Sequence, residues 1–185
     1  MKRLFDFLLS FFLFFLLFIP CLLISALIKI TSNGPVLYWS DRVGKNNQIF
    51  SMSKFRTMKI STPNVATQLL KGKSLLTPIG GFLRKTSLDE IPHLWSILIG
   101  DMSFVGPRPA LYNQDELIEL RTKKGIHLIV PGLTGWAQIN GRDDISIAAK
   151  VVLDFEYLNK RSFLFELKIL FLTIIKVIIA KDIVH

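Results

Sequence analysis

Ser87-Leu88-Asp89-Glu90-Ile91-Pro92 sets two adjacent carboxylates at the head of an apolar run, Ile91 to Ile99, that reads as a helix ending at Gly100. Ser87 with Glu90 three residues on has the form of a capping box, and acids are favoured in a first helical turn. Ser87 as the cap and Pro92 as the first helical residue are both open readings. Each puts Asp89 and Glu90 near the positive end of a helix dipole, which favours ionised carboxylates. Arg84 and Lys85 precede the pair, and Arg108 follows it. Taken alone the stretch could be a plain helix start; its surroundings give it chemistry.

Downstream, Gly106-Pro107-Arg108-Pro109 fixes one arginine between two prolines, which limits how far the loop can swing. A rigid guanidinium suits phosphate, since Arg can bind two phosphate oxygens at once. Asn113 to Lys124 reads as a polar helix. Pro131 through Arg142 carries Gly132, Gly135, Gly141, Gln138, Asn140 and Arg142, a loop able to approach a ligand closely. Ile145 to Asn159 reads as a helix carrying Asp154. Phe163 to Ile179 is apolar but broken by Glu166, Lys168 and Lys176. It reads as an interfacial helix with lysines reaching to headgroups, or else as a buried core helix.

Upstream, Val36 to Asp41 and Gln48 to Lys54 read as strands of a hairpin turning at Gly44-Lys45-Asn46-Asn47. Lys54 and Arg56 alternate with Phe55, so strand geometry would point both cations to one face. Residues 60–80 read as a polar loop. Gly72-Lys73-Ser74 resembles the tail of a P-loop, but Thr67 stands where the leading Gly belongs, so a nucleoside-triphosphate site is rejected.

Phe7 to Ile28 is a run of 22 residues without a charge. At about 1.5 Å per residue it can reach across a bilayer core of about 30 Å. It is too long for an ordinary signal peptide. Pro20 lacks an N–H and presses on the carbonyl of Leu16, so a kink is expected. Lys2 and Arg3 lie before the run and Lys29, Arg42 and Lys45 after it. Basic residues at both ends favour a bent, re-entrant helix with both ends on the cytoplasmic side. A single-pass anchor is the alternative.

The whole chain has 185 residues, net charge +9 and mean hydropathy +0.43. That balance suits anionic lipid, nucleic acid or phosphorylated substrates. No aromatic-basic pattern of a nucleic-acid module is present, and no nucleic-acid partner is expected. Cys21 is the single cysteine, so disulfide frameworks and Cys-rich zinc sites are excluded. His93, His127 and His185 have no metal spacing and read as ordinary structural or surface residues.

Four blocks, in order, resemble the bacterial sugar transferase family, the small monotopic phosphoglycosyl transferases. They are Lys54-Phe55-Arg56-Thr57-Met58, Ser87 through Pro92, Gly100 through Pro109, and Pro131 through Arg142. The resemblance implies a mostly helical α/β fold with a small β-hairpin. Residues 1–30 would form a re-entrant membrane helix. Residues 31–185 would form a catalytic domain with amphipathic interfacial helices, on the cytoplasmic face of the bacterial inner membrane. The family's membrane helix bends at a Ser-Pro pair, whereas here the pair is Ile19-Pro20.

The implied activity moves a sugar 1-phosphate from a UDP-sugar to polyprenol (undecaprenyl) phosphate, releasing UMP and starting glycoconjugate synthesis. Short members suggest an N-acetylated amino sugar. By resemblance Asp89 is the nucleophile, forming an aspartyl-phosphosugar, Asp89 and Glu90 hold Mg²⁺, and Glu90 is a second catalytic residue that would position or deprotonate the acceptor. Lys54, Arg56, Arg108 and Arg142 would balance phosphate charge, and Arg84 is a further substrate-binding candidate. Pro107, Gln138, Asn140, Arg142 and Asp154 complete the substrate-binding candidates. The rivals are another Mg²⁺-dependent membrane phosphotransferase or phosphatase, and a non-catalytic basic membrane adaptor. Oligomeric state stays open, a homodimer included.

Overall fold

The computed structural model describes residues 1–60, 62, 75–141 and 145–179. It is a mostly helical α/β structure. Helix α1 (Lys2–Leu16) and helix α2 (Phe18–Thr31) meet at Leu17 with a bend of 58°. The break lies where Pro20 leaves the Leu16 carbonyl without its donor four residues on, as the sequence predicts. No single helix among the described residues is long and apolar enough to cross a membrane; the bent pair passes that test only together.

Strands β1 (Leu37–Val43) and β2 (Ile49–Phe55) form the expected hairpin, in antiparallel register from Leu37 opposite Phe55 to Val43 opposite Ile49. The turn is a 3₁₀ segment, Lys45–Asn47, with Asn46 and Asn47 in the left-handed region that Asn tolerates. Helix α3 (Gly80–Lys85) leads to a 3₁₀ turn, Leu88–Glu90, and then to helix α4 (His93–Ile99). Gly100, at φ +105°, stops α4 where the sequence placed its end.

Strands β3 (Ser103–Val105) and β4 (Ala110–Leu111) follow, then helix α5 (Asp115–Lys123), strand β5 (Gly132–Thr134) and helix α6 (Trp136–Ile139). β4 joins the other edge of β1, so the first sheet has the order β2-β1-β4, while β3 pairs parallel with β5. Helices α7 (Ile147–Lys160) and α8 (Phe163–Ile179) complete the described residues. The P-loop-like Gly72-Lys73-Ser74 lies outside the described residues.

One core gathers Met52, Leu94, Ile97, Met102, Phe104, Val105, Ile139, Tyr157 and Ile169 from β2, α4, β3, α6, α7 and α8. A second, of Ile24, Ile28, Phe55 and Leu83, ties α2 to the hairpin and α3. The first two turns of α1 are anchored by polar contacts. Arg3 donates to the Ile97 and Leu98 carbonyls at 2.5 and 2.6 Å, at the negative end of α4. The Phe104 N–H donates to buried Asp6, and Lys2 donates to the Val105 carbonyl and to Glu166. Beyond that anchor α1 and α2 turn Phe11, Phe12, Phe15, Ile19, Leu22 and Leu23 outward. α8 divides its surface. Glu166 and Ile169 are buried, while Phe163, Leu164, Leu167, Phe171 and Ile174 are exposed on the other side.

Candidate active site

The carboxylate pair sits in the 3₁₀ turn just before α4. Ser87, at φ +57°, reverses the chain there; its side chain caps nothing, so the capping box does not form, and Pro92 occupies the N-cap position of α4. Asp89 is 6% exposed. Three cations converge on the pair from three elements. Lys54 comes from the end of β2, Arg84 from α3 and Arg108 from the loop after β3. Arg84 is held by its Nε–H donating to the hydroxyl of buried Thr57, at 2.9 Å. Arg108 Nη2 donates to Glu90 Oε1 at 2.8 Å.

Each ionisation reflects these neighbours. Burial, then the adjacent Glu90, pushes the Asp89 carboxyl up to about 6, against the pull of Lys54, Arg84 and Arg108. Burial also works on Glu90, but Arg108, with His93 and Lys54 behind it, outweighs that and brings Glu90 down to about 2. Desolvation lowers Lys54 to about 8, opposed by Asp89 and Glu90. At neutral pH three positive groups thus surround two negative ones. A net positive, partly desolvated cluster with a carboxylate of raised basicity is suited to receive a phosphate and to attack it.

The other sequence-predicted residues are placed as follows. Arg56 is buried and turned away: it donates to the Asn33 and Ser32 carbonyls and to the Ser32 hydroxyl. The expected shared face with Lys54 is not formed, because β2 ends at Phe55 and its alternation stops there. Pro107 is buried, its carbonyl accepting from the Gly132 N–H at 2.9 Å. Gln138 has both amide atoms buried without a hydrogen-bond partner. Asn140 closes α6 by donating to the Trp136 carbonyl. Asp154 is 1% exposed and accepts from Arg121 Nε and Nη2 at 3.0 and 2.6 Å, not from the pocket cations. Arg142 lies outside the described residues.

Two buried residues have surroundings that the sequence reading does not reach. His93 is not a surface residue. It is 1% exposed, with neither ring nitrogen hydrogen bonded. Burial, with Arg108, Lys54 and Arg42 nearby, lowers it to about 4 despite the pull of Glu90, so it stays neutral. Its place one turn after Glu90 was the available signal. Arg121 belongs to the polar helix expected over Asn113 to Lys124, but it shares the buried face of α5 with Leu117, four residues earlier.

No group of three or more His, Cys, Asp or Glu among the described residues could hold a metal ion. Among the described residues, the carboxylates this site offers are the Asp89–Glu90 pair. That matches the way Mg²⁺ is commonly bound, by one or two carboxylates with substrate phosphates and waters filling the rest.

The chain matches the bacterial sugar transferase family over residues 1–180, and it belongs to that family. It is 40% identical over 185 residues to an uncharacterized sugar transferase, EpsL, of Bacillus subtilis (strain 168), covering 99% of this chain and 90% of that protein. It is 41% identical over 175 residues to the UDP-glucose:undecaprenyl-phosphate glucose-1-phosphate transferase of Escherichia coli (strain K12), covering 89% of this chain and 37% of that one. A third relative, the undecaprenyl-phosphate galactose phosphotransferase of Salmonella typhimurium, is 34% identical over 200 residues, covering 98% and 41%. The chain therefore spans well under half the length of the latter two. The latter two are named as undecaprenyl-phosphate sugar phosphotransferases and the first as a sugar transferase, which makes this chain's class that of a transferase.

Proposed function

We propose that this protein transfers a sugar 1-phosphate from a UDP-sugar to polyprenol phosphate, in two steps through Asp89. The observation that carries this is the buried Asp89 carboxylate, which feels the charges of Lys54, Arg84 and Arg108, beside a Glu90 that accepts from Arg108 at 2.8 Å. An Asp89 oxygen attacks the sugar-proximal phosphorus of the donor. The bond from that phosphorus to the bridging oxygen breaks, and UMP leaves with the electron pair. An oxygen of the acceptor phosphate then attacks the same phosphorus and displaces the Asp89 carboxylate. Splitting the reaction lets a water-soluble donor and a lipid acceptor use one pocket in turn.

Repulsion between carboxylate and diphosphate is the main barrier to the first step. Lys54, Arg84 and Arg108 offset it at a carboxylate that is only 6% exposed. Mg²⁺ held by Asp89 and Glu90 would supply further charge neutralisation on the phosphate oxygens. Glu90, at about 2, is a poor base near neutrality, so its part is to hold Arg108 and the metal rather than to take a proton.

The outward Phe and Leu side chains of α1 and α2, and the exposed stripe of α8, support lipid contact. We read the 58° pair as re-entrant, with both ends on the cytoplasmic side, and the site as lying near that lipid surface. The relatives' names carry glucose and galactose, so a plain hexose is the first donor to try. An N-acetylated amino sugar is the second. A panel of UDP-sugars with undecaprenyl phosphate and Mg²⁺, followed by UMP release, tests the reading. Acceptor-dependent UMP supports it, and UMP release independent of acceptor points to a hydrolase instead.

A further inference from the structure

We propose that the buried Arg121–Asp154 pair is a positioning device for Arg108, acting on its main chain and not on substrate. Three successive carbonyls of the Pro107-Arg108-Pro109 loop are each held from a different element. The Gly132 N–H of β5 donates to the Pro107 carbonyl at 2.9 Å. Arg121 Nη1 of α5 donates to the Arg108 carbonyl at 2.8 Å. Arg42 Nη1 of β1 donates to the Pro109 carbonyl at 3.3 Å. Two of the three residues are prolines without an N–H, so the loop cannot be fixed by a strand-like ladder and must be held through its acceptors.

Arg121 suits that task for a geometric reason. Its Nε and Nη2 both donate to Asp154 Oδ2, which leaves Nη1 aimed at the Arg108 carbonyl. A planar guanidinium gripped at two corners has little freedom at the third, whereas a lysine ammonium has no such fork. Arg121 is 8% exposed and Asp154 1%. Stability alone does not explain burying this pair, since apolar residues of similar volume often serve as well or better. A fixed donor is what the ion pair adds. The linkage runs from Asp154 on α7 through Arg121 on α5 to the Arg108 main chain, and from the Arg108 side chain to Glu90.

The kinetic arm of the test rests on the transferase reading above; a second arm does not. Arg121→Gln and Asp154→Asn are made singly and in an Arg108→Ala background. Each single change is expected to slow UMP release about ten- to a hundredfold, the scale of a misplaced catalytic group. In the Arg108→Ala background each is expected to add less than about twofold, because both act through Arg108. Losses that multiply in that background overturn the proposal. Arg121→Lys is expected to stay as slow as Arg121→Gln; recovery with lysine contradicts the fork. Hydrogen exchange of the peptide containing Arg108, in the full-length protein without substrate, gives the second arm. Arg121→Gln is expected to speed its exchange about tenfold or more while α8 is unchanged; unaltered exchange refutes the clamp. If wild type turns over no UDP-sugar, the functional reading fails and the exchange arm still decides this one. Should Arg121→Gln not fold, Asp154→Asn, which keeps the side chain's volume, is read by the same two arms.

Discussion

At the scale of single residues, the site is an arrangement of opposed charges whose ionisations differ by design of the surroundings. Asp89 is held near 6 and Lys54 near 8, both by burial first. On the proposed two-step route Asp89 attacks only when ionised, so activity is expected to fall as pH drops through about 6. Lys54 offsets phosphate charge only when protonated, so donor use falls as pH rises through about 8. A bell-shaped kcat/KM with limbs near those values is expected, each limb belonging to the coupled site and not to one group. Lys54→Met should remove the alkaline limb in a pH-rate profile of UMP release. The carboxylate pair and Arg108 were legible from sequence because their flanking prolines, glycines and cations stand out. Arg56 was not, since its direction depends on where β2 stops, which alternation alone cannot tell. Asp154 carried the right chemistry with the wrong neighbour, because its partner Arg121 is 33 residues away and buried on an otherwise polar helix.

At the scale of elements, the long helices followed their periodicity. Asn113 to Lys124, Ile145 to Asn159 and Phe163 to Ile179 were expected, and Asp115–Lys123, Ile147–Lys160 and Phe163–Ile179 are found. β3, β4 and β5 are two or three residues each, too short for alternation to show. They exist because distant backbones meet: a Cβ on Gly132 would overlap the Gly106 backbone, so only glycine allows the approach that pairs β3 with β5. α1 is bound to the catalytic segment by buried polar contacts that a hydrophobic reading cannot reveal. Asp6→Ala leaves the buried Phe104 N–H without its acceptor. A loss of about 1–3 kcal/mol is expected, measured by denaturant unfolding in detergent micelles. No loss would show that the contact is dispensable.

At the scale of the whole molecule, exposed apolar side chains on α1, α2 and α8 combine with a net charge of +9. Such a surface suits an anionic lipid leaflet. The 58° bend is compatible with a broken span or with a re-entrant pair, and labelling separates the two. With Cys21 replaced by alanine, single cysteines at Met1 or Asn33 can be probed with an impermeant maleimide in oriented vesicles. Labelling of both from the same side is expected for a re-entrant pair; labelling from opposite sides would show a span.

The account turns on a covalent bond between Asp89 and phosphorus, and intact-protein mass spectrometry after acid quench reads it directly. Incubation with a turned-over UDP-sugar and Mg²⁺, without acceptor, should add the mass of one sugar phosphate to the wild-type chain. The added mass should be chased off by undecaprenyl phosphate and be absent from Asp89→Asn, whose transfer rate should fall at least about a thousandfold. An unmodified wild-type chain that still transfers when both substrates are present, or an Asp89→Asn variant with near-normal turnover, would contradict the two-step reading.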